Sequence, residues 1–357
     1  MNSLNNKFYI RTSSHLTKRM NGLSRGMLDS DGSIGIRWEK DRGSPRLRLE
    51  VNLGARIENR MMLEEFKNSW GVGNIHGKLL SVQSFQTLEK MTKVFKSGPL
   101  FSHQSLDFQM IDEIKTKLVD KKLHLTPNGK EQILDLKYRL HDNKPSSLAT
   151  TREDYEKMLN LSRGSSVGKG NSIYDHLASD YKEFKLETIN SMKNKNLVLS
   201  EEDYWYITGF TLGDGSFFIS FGIPRIIPCF TLTTNLASSL APEFCFYGLT
   251  NEYNPASKVG NDACRMTFSS ISKVMKFVIP HFEQYPLIDC PKKDVYNTYK
   301  AACEILNKHK TQVPPFSVVE ELVELAYDMN PIVSDRRFES KEQYLSAYKA
   351  FLSKSKN

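Results

Sequence analysis

Two segments of the chain place an aspartate directly ahead of a glycine in matching surroundings. The stretch from Arg25 to Ile34 (RGMLDSDGSI) is echoed by Thr208 to Phe217 (TGFTLGDGSF), 183 positions later. Each reads as the end of a helix, which puts Asp31 and Asp214 in a last turn. There the helix dipole disfavours a carboxylate by a few tenths to about 1 kcal/mol. A local rule broken twice at the same place points to a compensating cation. Two carboxylates converging without basic neighbours suit Mg2+ or a similar hard cation such as Mn2+, with coordination positions left for water and phosphate oxygens. That is the layout for metal-assisted hydrolysis of a phosphodiester.

The elements around these aspartates must bring them together. Gly26 and Gly209 stand five positions ahead of them. A glycine inside a helix costs about 1 kcal/mol against alanine, so a matched pair implies a packing reason. If the two helices cross at those glycines, Asp31 and Asp214 meet at the bottom of the pair. Gly32 and Gly215 are expected to supply the left-handed residue that ends each helix.

Further echoes keep the same order: Leu63 to Phe66 against Ala241 to Phe244, and Gly98 to Phe101 against Tyr285 to Ile288. In the first copy, periodicity predicts strands at 33–39 and 46–53, a helix over 58–69, strands near 72–75 and 79–82, then helices over 85–95 and 105–118. In the second it predicts strands at 216–221 and 227–234, a helix near 236–246, strands near 247–253 and 264–268, and helices over 271–282 and 293–306. The fold class is therefore α+β, an αββαββα unit written twice with antiparallel sheets. Residues 1–142 form the first repeat with a basic N-terminal arm, 143–199 a linker with some helix, 200–330 the second repeat, and 331–357 a helical tail.

Residues 46–53 alternate without fault, placing Arg46, Arg48, Glu50 and Asn52 on one face and apolar side chains on the other. Ser33, Arg37 and Glu39 alternate likewise with Ile34, Ile36 and Trp38. Arg, Asn and Glu are side chains that read base edges in the major groove. The second copy presents Ser216, Phe218 and Ser220, then Thr231, Thr233 and Asn235. Its face carries less charge, which predicts an asymmetric target with more charge-assisted contacts in the first half.

Composition narrows the field. The 357 residues carry 49 Lys and Arg against 41 Asp and Glu, a net charge of +8 that favours a polyanionic partner. No apolar run approaches the roughly 18–20 residues needed to cross a bilayer. Cys229, Cys245, Cys264, Cys290 and Cys303 are odd in number and contain no CxxC pair, which argues against a disulfide framework or a zinc knuckle. The first 28 residues hold Lys7, Arg11, Lys18, Arg19 and Arg25 with no acid. They read either as a mitochondrial presequence or as a basic arm lying on phosphates. The glycine-rich stretch 164–170 lacks the first Gly and the final Ser/Thr of a phosphate-binding loop. Asp29 to Gly32 is no calcium loop, because Ile34 and Lys40 fill the positions that need Gly and Glu. The eight histidines show no metal-ligand spacing and read as surface or capping residues.

The paired segments resemble the two motifs of the LAGLIDADG homing endonucleases in their single-chain, two-repeat form. The similarity extends to 71–75, to Tyr285, Pro286 and Leu287, and to 124–129. It implies a pseudo-twofold αββαββα pair whose motif helices form the interface and whose sheets form a saddle over double-stranded DNA, in a monomer with an internal pseudo-dimer. It also implies that the last acid of each motif, Asp31 and Asp214, binds a divalent metal and cuts one strand, with Asp29 in a supporting role. The lysine often found four residues past the Pro-Leu pair is replaced here by Gln104 and Pro291, and Lys292 or Lys293 is the candidate for a basic pocket. The missing lysines favour the alternative function, an intron maturase of this family or an RNA-binding protein that assists RNA splicing or assembly without DNA cleavage.

Overall fold

The computed structural model describes residues 3–55, 59–95, 97–140, 151–161, 173–309, 313–327, 329 and 338–354. The first half begins with helix α1 (Ser3–Asp31), followed by β1 (Gly32–Asp41), β2 (Ser44–Gly54), α2 (Arg60–Trp70), β3 (Asn74–His76), β4 (Leu79–Val82), α3 (Phe85–Phe95) and α4 (Gln104–Glu113). A π-helical turn, Ile114–Val119, and a short 3-10 turn lead to α5 (Pro127–Leu140). After α6 (Arg152–Leu159) and α7 (Ile173–Lys193) the pattern restarts with α8 (Glu201–Asp214), β5 (Gly215–Phe221), β6 (Ile226–Asn235), α9 (Leu240–Thr250), β7 (Ser257–Val259) and β8 (Ala263–Phe268). Helix α10 (Ile271–Lys273) passes through a π turn, Val274–Val278, into α11 (Ile279–Gln284). Then come α12 (Pro291–Lys308), α13 (Phe316–Ala326) and α14 (Lys341–Lys354).

Both sheets are antiparallel and have the same topology, β1-β2-β4-β3 and β5-β6-β8-β7. In the first, the apolar set Ile34, Ile36, Trp38, Leu47, Leu49, Val51 and Leu53 is buried under the helices. In the second, Phe217, Phe230, Met266 and Phe268 do the same, and Phe217 stacks on Phe230 with ring centroids 4.9 Å apart. Period-2 alternation therefore gives each sheet one core face and one open face.

Helix α8 starts with a capping box in which Ser200 and Asp203 exchange side-chain and backbone hydrogen bonds. Every residue from Trp205 to Leu212 is buried, so this helix is wrapped by protein on all sides. Helix α7 straps the halves together. Its Tyr181 donates to the Phe101 carbonyl at 3.4 Å, its Lys185 reaches Ser239 at 3.3 Å, and Phe101 itself stacks on Phe244 at 3.7 Å between centroids.

Several expectations need correction. The strand expected near 247–253 is helix as far as Thr250, and the third strand of the second sheet is Ser257–Val259. Its aromatic, apolar sequence looks strand-like because α9 is buried almost all round. The helices expected over 105–118 and 271–282 both contain a π turn. Neither Gly32 nor Gly215 is left-handed, and Gly215 is extended at φ −84° and ψ 147°. The chain passes straight from helix to strand, and space is the reason for glycine. A Cβ at Gly32 would sit 2.3 Å from the Leu28 carbonyl oxygen, and one at Gly215 2.4 Å from the Thr211 side chain. The basic arm is the first part of α1. Arg19 pairs with Glu65 and Lys18 with Glu201, and Arg25 is buried. His281 is neither surface nor cap: burial pushes its imidazole down to about 3, and its Nε2 lies 3.2 Å from Thr208 Oγ1. The glycine-rich stretch 164–170 and the first part of the tail, 331–337, lie outside the described residues.

Candidate active site and nucleic-acid interface

The second half of α1 packs side by side with α8, with no room for side chains at the glycines between them. A Cβ on Gly26 would lie 2.1 Å from the Tyr206 carbonyl oxygen and 2.4 Å from the Phe210 nitrogen. One on Gly209 would lie 2.3 Å from the Leu23 carbonyl oxygen. Gly22 meets the Glu202 carbonyl and Gly213 meets Ser30 in the same way, two close approaches that the repeat comparison missed. The contacts ascend together along the two helices, so the helices run parallel and end at the same place.

Asp31 and Asp214 are at that end. The Asp31 carboxyl carbon is 3.1 Å from where a Cβ on Gly213 would be. Asp31 is exposed, whereas Asp214 is partly buried. Burial raises the Asp214 carboxyl to about 7, and the negative charges of Asp31 and Asp29 push the same way. A Thr234 hydrogen bond and the Lys292 charge oppose the rise. Asp214 Oδ2 is buried without a hydrogen-bond partner. A buried anionic oxygen left unpaired is costly, and a divalent cation between two carboxylates would satisfy it. Among the described residues no three His, Cys, Asp or Glu side chains gather in a metal-binding cluster. Two carboxylates therefore suit a cation that keeps water and phosphate oxygens in its remaining positions.

The two halves support their aspartates differently. Lys292 places Nζ at 2.9, 2.6 and 2.9 Å from the carbonyl oxygens of Thr211, Leu212 and Gly213, so a cation caps the α8 C-terminus beside Asp214. Gln104 holds the corresponding place in the first half, where its Nε2 donates to the Gly32 carbonyl at 2.7 Å. Lys293 does not face the site; it is ion-paired with Asp289 at the surface. Thr234 had no sequence signal, because it sits on the core face of its strand.

Asp29 is buried and faces away from the open surface. It accepts the Phe101 N–H at 2.6 Å, the Tyr206 hydroxyl at 2.7 Å and the Ser102 hydroxyl. Burial raises its carboxyl above the ordinary carboxylate range despite these donors. Arg25 donates to the Pro99 carbonyl at 3.1 and 2.9 Å and pairs with Asp203 at 3.1 Å. Both residues lock the halves together, a role that sequence could not reveal because every partner lies more than 70 positions away.

The open face of the first sheet carries Arg37, Glu39, Arg46, Arg48, Glu50 and Asn52, in the register Arg37 to Arg48, Glu39 to Arg46 and Ser33 to Asn52. Glu39 bridges Arg37 at 3.3 Å and Arg48 at 2.5 Å, and Arg46 pairs with Asp41 at 3.0 Å. Such half-exposed pairs are worth about 0–1 kcal/mol, so a polyanion can displace them. Gln83, Ser81, Asn74 and His76 continue this face around a hollow of about 210 Å3. These third- and fourth-strand residues were not anticipated, since short strands give a weak alternation signal. On the second sheet Ser216 and Ser220 are exposed and Phe218 and Thr233 half-buried, as an open face requires. Thr231 departs from that expectation at 6% exposure, shielded by its neighbours. Asn235 spends its side-chain oxygen capping the Ser238 N–H at 3.0 Å. Arg265, paired in register with Thr233, joins the face.

This arrangement has the LAGLIDADG meganuclease fold. The chain is similar to the meganuclease I-AabMI bound to uncleaved DNA, with a TM-score of 0.63 and 19% identity over 87% of this chain and 99% of that one. It is similar to I-SmaMI bound to an uncleaved DNA target in the presence of calcium ions, with a TM-score of 0.64 and 19% identity over 87% and 98%. The homing endonuclease I-LtrWI bound to target DNA gives 0.62 and 20% over 88% and 98%. Among curated proteins, probable intron-encoded endonuclease 3 of Neurospora crassa is 21% identical over 315 residues, 84% of this chain and 52% of that protein. The chain thus spans about half the length of this relative. No protein-family model matches the sequence.

Proposed function

We propose that the chain is a site-specific endonuclease that hydrolyses both strands of double-stranded DNA, with Asp31 and Asp214 as metal-binding catalytic residues. The observation that carries this reading is the meeting of Asp31 and Asp214 at the shared end of two glycine-packed helices, with Asp214 Oδ2 buried and unpartnered. Mg2+ or Mn2+ held there would activate water and stabilise the leaving oxygen. Asp31 and Asp214 would hold the cation, Lys292 would offset the α8 dipole, and the two sheet faces would fix the duplex across the site. The reading is a monomer with an internal pseudo-dimer. The acid-free basic N-terminal stretch and the intron-encoded relative support a mitochondrial or other organellar setting.

The test is cleavage of host-gene junction DNA with Mg2+, with EDTA, and with Asp31→Asn or Asp214→Asn. Activity that needs the cation and is lost in both variants supports the reading. Cleavage that survives both substitutions overturns it. Gln104, standing where a cation is found in the second half, favours a second reading, in which the chain binds its own intron RNA and assists splicing. Splicing that persists in both variants would favour that role.

A further inference from the structure

The open face of the second sheet is not merely a less charged copy of the first. Phe218 pairs in register with Cys229, and Ser220 with Ile227, so these side chains share the face that carries Ser216, Thr233 and Arg265. Phe218 and Ile227 are half-buried but lie outside the cluster packed under the sheet, which takes the alternate residues Phe217, Ile219, Phe230 and Leu232. Apolar side chains are therefore presented to the groove, midway along a strand that starts at Asp214 and runs outward. Cys229, 8% exposed and with Sγ 3.8 Å from the Ile227 carbonyl, lies buried beside them. Arg265 is the guanidinium on these strand positions, and its Nε is spent on Thr233 Oγ1 at 3.1 Å. The matching places in the first sheet hold Gly35 and Glu50, then Arg37 and Arg48. Its apolar exception is Leu79, at the inner end beside Gly54.

In the major groove the one apolar base feature is the thymine methyl, whereas guanine and cytosine present hydrogen-bonding groups that call for Arg, Lys or carboxylate partners. An apolar patch facing cytosine or guanine would bury those groups unpaired, a penalty that discriminates against them. We propose that the second repeat reads an A·T-rich half-site through thymine methyl groups packed on Phe218 and Ile227, while the first repeat reads a half-site richer in G·C. This rests on the duplex-DNA reading above and adds the composition of its target.

The experiment selects bound duplexes from a randomised library and then replaces thymine by uracil, which removes only the methyl group. Arg48→Ala and Phe218→Ala, each relaxing the preference in one half, assign the halves to the repeats. The expected result is A·T enrichment in the half relaxed by Phe218→Ala. Uracil there should weaken binding about fourfold per methyl group lost, as burial of one apolar carbon suggests, and by less than about twofold in the other half. Equal base composition in the two halves, or an affinity indifferent to uracil, overturns the proposal while leaving specific binding intact. A library in which no sequence is enriched overturns both this proposal and the reading beneath it. The uracil comparison uses the unaltered protein, so it decides the matter even if Phe218→Ala fails to fold.

Discussion

The Asp29 carboxylate on the first motif helix accepts the Tyr206 hydroxyl on the second at 2.7 Å, inside the protein. Asp29→Leu would leave the Phe101 N–H and the Ser102 and Tyr206 hydroxyls without an acceptor, and is expected to cost about 3–5 kcal/mol. Tyr206→Phe removes one donor of three and should cost about 1–2 kcal/mol. Urea denaturation of the two variants checks the order. Equal, small losses would show that the halves do not depend on this carboxylate.

Gly26→Ala drives a methyl to within 2.1 Å of a backbone oxygen, which no rotamer change can relieve. The helices must part, at a cost of about 1–3 kcal/mol or more. Because Asp31 and Asp214 are set by that crossing, cleavage should fall further than stability alone explains. Measuring nuclease rate at a temperature where the variant remains folded separates the two effects.

An Asp214 carboxyl at about 7 when folded, against 3.8 ordinarily, makes metal-free stability depend on pH. Between those values the unfolded chain has released its proton and the folded chain has kept it, so raising the pH favours unfolding. Stability without divalent cation should decline from pH 4 to 7, by roughly 1–3 kcal/mol after allowance for partial exposure. Melting curves across this range should flatten in Asp214→Asn. Mg2+ should raise the melting temperature more at pH 8 than at pH 5, since a cation must compete with the proton.

Lys292→Met strips the donor from three carbonyls at the end of α8 and removes a charge that lowers the Asp214 carboxyl. The pH at which cleavage reaches half its maximum should move upward, and folding stability should drop by about 1.5–3 kcal/mol. Lys293→Met, at a surface pair, should change stability by less than about 1 kcal/mol. A pH–rate profile of both variants distinguishes a lysine acting on the site from one that merely supports the loop.

The doubled αββαββα order, the crossing glycines and the two converging aspartates were legible in the sequence because each depends on local periodicity repeated at a nearly constant spacing. Alternation along β1 and β2 likewise fixed which residues face outward, since a strand has only two faces. Tertiary structure alone decided the rest. Arg25, which looked like part of a phosphate-binding arm, is buried because Pro99 and Asp203 happen to stand opposite it. Lys292 rather than Lys293 meets the motif helix because successive helical residues point about 100° apart, and the approach of α12 selects one of them. Thr234 reaches Asp214 from the core face of a strand whose other face had been read for function. Whether a polar side chain is solvated, paired or placed against the site depends on what folds over it from far along the chain, and no short-range pattern records that partner.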